Sequence, residues 1–153
     1  MNIKIEDFEE SLSMENLKRA EETIVATLPE EYKQFLMKYN GGRAFNIKQF
    51  GGGLDFEAIT DGDDNNFFGT YNSLKGRIPE DTVAIAIDPG GNYVLLGIKG
   101  PNRGKVFFWM LDFEDREEWE APYESKVDFV ANSFNEFLDS LSEYNEDDVG
   151  DEE

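Results

Sequence analysis

Tyr32, Phe35, Leu36 and Tyr39 recur at i, i+3, i+4 and i+7, which places four large apolar side chains on one stripe of a helix. The spacing predicts a helix over 29–39. Pro29 suits the first turn, where a missing N–H is no loss, and Thr27 with Glu30 has the spacing of a capping box. Asn40-Gly41-Gly42 ends the helix, since Gly and Asn enter the left-handed region cheaply. The same periodicity in Leu17, Ala20 and Ile24 predicts a helix over 14–26 with Ser13 as its N-cap. It returns in Phe134, Phe137, Leu138 and Leu141, with Ser133 and Glu136 as a second capping box for a helix over 134–141. The first two helices, joined by so short a corner, are expected to pack as an angled pair. Residues 1–12 read as a short extended or irregular start with Ile3, Ile5 and Phe8 as anchors.

Between the second and last helices the period changes from 3.6 to 2. Residues 44–48 alternate weakly and 54–59 alternate well, as half-buried strands do, with Gly51-Gly52-Gly53 as a bend or bulge between them. Residues 67–74 fit a short helix or a strand, and Ile78-Pro79-Glu80-Asp81 reads as a turn. Three further strands are predicted over 83–87, 93–98 and 105–111. The links Pro89-Gly90-Gly91-Asn92 and Gly100-Pro101-Asn102-Arg103-Gly104 have turn chemistry and are short enough to force antiparallel neighbours. Val83, Ile85 and Ile87 then share one face, with Ala84 and Ala86 on the other, small enough to admit the first two helices closely. Residues 112–123 form an acidic loop containing Trp119. The expectation is an α+β fold: an antiparallel meander sheet packed by two N-terminal helices and a C-terminal helix.

At 153 residues the chain is expected to form one domain over 1–142, followed by an acidic disordered tail over 143–153. Thirteen Phe, six Tyr and two Trp imply a strongly aromatic core. Acids outnumber bases 34 to 14, for a net charge of −20, and residues 1–142 alone carry 27 against 14, so the body itself is acidic. Such a field repels phosphate backbones and anionic lipid and attracts basic proteins. Neither a nucleic acid nor a membrane is therefore an expected partner. With no leader pattern and no long apolar run, the expected location is the cytoplasm.

Candidate chemistry is sparse. There is no His and no Cys, which removes imidazole bases, thiol nucleophiles and sulfur ligands. No Walker loop, nucleophile elbow or dinucleotide fingerprint appears, and the triple glycine lacks the Lys, Ser or Thr a phosphate loop needs. Asp61, Asp63 and Asn65 have the 1-3-5 spacing of a calcium loop, but Asn66 stands at position six and Asn72 at position twelve, so the segment reads as an acidic turn. No enzyme activity, metal or cofactor is expected, and a protein-binding module remains.

One ordered set of motifs narrows that reading. Leu28-Pro29, Tyr32, Phe35-Leu36 and Asn40-Gly41-Gly42 come first, then Ile78-Pro79, Ala84-Ile85-Ala86-Ile87-Asp88 and Gly90-Gly91-Asn92, then Val106 with Trp109, and last Ser133-Phe134 with Phe137-Leu138. From about residue 17 to 141 the chain resembles the SUKH superfamily, which includes the fungal Smi/Knr cell-wall assembly regulators and many bacterial toxin-immunity proteins. The resemblance implies a protein-binding scaffold. The leading expectation is an immunity protein that neutralises a cognate toxin with a basic, nuclease-type surface; the alternative is a regulatory hub like the fungal regulators. Expected contacts are loop acids and one aromatic: Asp61, Asp63, Asp64, Asp112, Glu114, Asp115, Glu117, Glu118 and Trp119. The sequence does not specify the oligomeric state.

Overall fold

The computed structural model describes residues 2–9, 11–62, 66–110 and 127–143. The chain order is α1 (Met14–Ile24), α2 (Glu30–Lys38), β1 (Gly42–Ile47), β2 (Gly52–Phe56), α3 (Phe67–Leu74), β3 (Thr82–Ile87), β4 (Tyr93–Gly97), β5 (Val106–Trp109), β6 (Val127–Ala131) and α4 (Phe134–Ser140). All six strands pair antiparallel in sequence order, an open meander with β1 and β6 at its edges. This is the α+β architecture that the patterning predicts. Residues 67–74, open between helix and strand in the sequence, are helical because Asn66 caps them: its Oδ1 accepts from the N–H groups of Phe68 and Gly69 at 3.0 and 3.1 Å. β6 is the strand that the patterning leaves unassigned.

α1, α2 and α4 cover one face of the sheet. Leu17, Ala20, Ile24, Tyr32, Leu36 and Phe137 are buried in one cluster with Leu54, Val83, Ile85, Val94, Leu96 and Val106. Phe35 is its hub, with ring centroids 5.0 Å from both Phe56 and Phe134. A smaller cluster on the other face joins Ala84, Leu95 and the buried Trp109 beneath Leu74 and Ile78.

That division corrects the expected role of the small residues. Ala84 lies under the end of α3 and the turn after it, while Ala86 joins Val83 and Ile85 against the helical core. The cause is a register shift between Ala84 and Ala86 in the β3–β4 ladder, since one extra residue in a strand breaks the alternation of faces.

Two helix starts differ in their capping. Ser133 Oγ accepts from Glu136 N at 3.1 Å, as a capping box requires, while Glu136 reaches back to Asn132 N at 2.9 Å. At α2 the box predicted from Thr27 and Glu30 is not formed: Pro29 is the cap residue and no side chain bonds there. Glu21 of α1 instead accepts from Leu28 N at 2.7 Å, and Thr27 turns its carbonyl and hydroxyl to the Arg103 guanidinium. Arg103, in the β4–β5 turn, also donates to the carbonyls of Leu28 and Ile98 and so ties that hairpin to the α1–α2 corner.

The glycine pair after α2 permits two close approaches. Gly41 and Gly42 have φ of +82° and +95°, and a Cβ on either would lie 2.7 Å from Ala58 Cβ or Ile5 Cγ2. Ile3 and Ile5 are buried as anchors, and residues 6 and 9 bridge to Arg43 and Asn40, which closes the outer edge of β1. Phe8 is 48% exposed and rests edge-on against Tyr39 instead.

Candidate interaction surface

Among the nine expected contact residues, Asp61 lies within the described residues, while Asp63, Asp64, Asp112, Glu114, Asp115, Glu117, Glu118 and Trp119 lie outside them, as does the tail from residue 144. Asp61 is tied into the scaffold. Its Oδ1 accepts from Asn16 Nδ2 at 2.9 Å, and its carbonyl accepts from Arg19 Nη1 at 2.9 Å. The Arg19 guanidinium sits 3.8 Å over the Phe68 ring. Asn66 closes the same turn by donating to Thr60 Oγ1 and Gly62 O at 2.9 and 2.6 Å. The position a calcium loop reserves for glycine is thus filled by a helix cap. Among the described residues, no group of three or more Asp or Glu is arranged to hold a metal ion.

A second acidic recess lies on the sheet face opposite the helical core. Asp55 and Glu57 project from the same side of β2 and the residue after it, beside Arg43, Thr70 and Tyr93 in a cleft of about 510 Å³ that Asp7 and Glu9 also line. Arg43 and Asp55 are cross-strand partners, with Nε 3.2 Å from Oδ1, and both are more than half exposed, so the pair stabilises little. Thr70 Oγ1 donates to Glu57 Oε1 at 3.0 Å. Burial raises the Glu57 pKa; the Thr70 hydrogen bond opposes this, and the charge of Asp55 adds to it. Burial also raises the Tyr93 phenol, with Glu57 pushing the same way and Arg77 against it. Four carboxylates and one guanidinium line the cleft, so its local charge is negative. The chain has no imidazole or thiol to act with these carboxylates as a nucleophile–base pair.

Around the far edge the surface turns apolar. Phe129 and Val130 of β6 are 55% and 41% exposed, and Met110, just past β5, is 49% exposed. Sequence reasoning missed these residues along with β6. The available signal was weak: Val127 and Phe129 alternate with one acid, over too few residues to separate a strand from a loop.

The family described as SMI1 / KNR4 family (SUKH-1) matches residues 11–140. A relative from Bacillus subtilis (strain 168), the SPbeta prophage-derived uncharacterized protein YokK, is 31% identical over 152 residues, covering 83% of this chain and 73% of its own length. The matched span runs from just before α1 to the end of α4 and takes in the helical core, the whole meander and the glycine pair. The chain belongs to the SMI1 / KNR4 (SUKH-1) family, which includes toxin-immunity proteins and whose members generally bind rather than catalyse.

Proposed function

We propose that this chain is an immunity protein: it binds a cognate toxin with a basic, nuclease-type surface in the cytoplasm and blocks it without turning over a substrate. Family membership supports binding to a protein, and the charge of −20 supports the sign of the partner. A nuclease grips phosphates with Lys and Arg, so an inhibitor that presents carboxylates competes for the same groups. Opposite fields also speed encounter, toward roughly 10⁸–10⁹ M⁻¹s⁻¹ at low salt, which suits a protein that must reach the toxin before the nucleic acid does. The contacts assigned are Asp61, Asp63, Asp64, Asp112, Glu114, Asp115, Glu117, Glu118 and Trp119. The observation that carries the reading is the acidity of the body itself, which the cleft at Asp55 and Glu57 continues on the sheet.

The test is co-expression with a basic toxin domain encoded beside this protein's gene. A stoichiometric complex and restored cell growth are expected. Absence of both, or turnover of a metabolite by the purified protein, would overturn the proposal. Capture of many host signalling proteins and no toxin would favour the regulatory role seen in the fungal members.

A further inference from the structure

β6 differs from the opposite edge of the sheet. Residues 6 and 9 and Glu143 form bridges along β1, whereas among the described residues no strand or bridge lies on the outer side of β6. Its three middle residues, Asp128, Phe129 and Val130, are all exposed. An edge of this kind offers unpaired backbone groups to any strand that approaches, and natural edges with exposed apolar side chains are docking sites or liabilities.

The two sides of β6 each open onto a groove. On one side Phe129 and Val127 join Ile78, Pro79 and Phe107 around a recess of about 700 Å³ that carries Glu80 and Asp81. On the other, Val130 and Asp128 join Met110, Phe108 and Phe137 around a recess of about 480 Å³ that carries Asp88. Among the described residues, neither recess is lined by a Lys or Arg. The Asp88 carboxylate is held in place by the N–H groups of Gly90 and Asn92, both at 2.9 Å. Successive side chains of an added strand point to opposite faces, so one extended segment laid along β6 would enter both grooves in alternation.

We propose that β6 is the docking strand for an extended, basic and partly apolar segment of the protein partner, which adds a seventh strand to the sheet. The inference rests on the immunity reading for the identity of that partner and adds where and how it binds. Charge selects this occupant over the others. Residues 111–126 carry seven acids against two bases, and residues 144–153 carry six acids and no base, so the four acids of the grooves repel both. A second copy would bring a charge of −20 onto another of −20 and set the two Asp128 side chains near each other.

The probe is an acetylated octapeptide alternating lysine and valine, compared with a peptide of the same composition in which four lysines precede four valines. Amide hydrogen exchange on the full chain should slow at the amides of residues 127–131 that face away from β5 when the alternating peptide binds, and the block peptide should bind at least tenfold more weakly. Phe129→Asp and Asp128→Lys, each at an exposed position and checked for an unchanged melting temperature, should each weaken binding of the alternating peptide at least tenfold. Asp128→Lys should also flatten its salt dependence. Equal affinity for both peptides would reduce the effect to bulk charge and overturn the proposal. So would outward-facing amides of 128–130, those not bonded to β5, that already exchange slowly in the free protein: independent of concentration, this means that the chain covers its own edge; dependent on concentration, that a second copy does. If a cognate toxin binds and Phe129→Asp leaves that affinity unchanged, the docking strand is wrong while the immunity reading stands. If no toxin binds but the peptides behave as expected, the reverse holds.

Discussion

Val25 ends α1 at φ +55°, a conformation in which a β-branched side chain crowds its own backbone. The side chain is 77% exposed, so almost no packing compensates. Val25→Gly should therefore stabilise the protein by about 1 kcal/mol, raising the melting temperature by roughly 2–4 °C in a calorimetric scan. Glu57 gives a prediction whose sign depends on pH. Its folded pKa is raised, so the folded state holds the proton more tightly than the unfolded chain, and its ionisation on folding costs stability at neutral pH. That cost is full above the folded pKa and vanishes as pH falls below the ordinary carboxylate value. Glu57→Gln keeps an acceptor for Thr70 and should raise the melting temperature at pH 7–8, with the gain shrinking to nothing near pH 4. A gain that grows on acidification would contradict the stated environment. Asn40 shows what a residue type hides. Its position after an amphipathic helix marks a stop, but the side chain is buried, donating to Ile59 O at 3.0 Å and accepting from Ile59 N at 2.8 Å, like one rung of a ladder.

At the scale of elements, the helices were readable because their periodicity is long and their caps are local. α1, α2 and α4 fall where the Leu17, Tyr32 and Phe134 stripes place them, within two residues at each end. The strands before β6 were readable because glycine-containing turns separate them. Features that depend on a neighbour were not: the bulge in β3, the Glu21 acceptor that replaces the α2 capping box, and the Arg103 clamp each follow from how two segments meet, not from a local pattern. Gly97 belongs with these. It sits at the end of β4 at an ordinary φ, yet a Cβ there would lie 1.8 Å from Asn102 O, because the short 3₁₀ turn Gly100–Asn102 crosses directly over it. Gly97→Ala must displace that turn and the Arg103 that follows it. The expected destabilisation is about 1–3 kcal/mol or more, measured by urea unfolding, with loosening at the α1–α2 corner as well as in the hairpin. Unchanged stability would mean that the turn is free to move.

The molecule as a whole is dominated by its charge. A net −20 on 153 residues repels itself, so moderate salt should raise the melting temperature until screening is complete near the physiological range, the opposite of its effect on association with a basic partner. A melting temperature that falls between 10 and 150 mM NaCl would show that local ion pairs outweigh the self-repulsion. The amino-acid sequence by itself determined the fold class, the family and the sign of the surface, because periodicity, turn chemistry and net charge are sums over local composition. It also placed the aromatic stripe of α2, whose Phe35 became the hub of the core. Only the tertiary structure decided which acids are bound into the scaffold and which line a recess: Asp61 is held by α1, while Asp55, Glu57 and Asp128 line recesses on the sheet. Only it revealed that β6 is an edge with grooves on both sides. The physical reason is that exposure and edge position belong to no residue alone; they follow from which other segments arrive, and those contacts link residues more than a hundred positions apart.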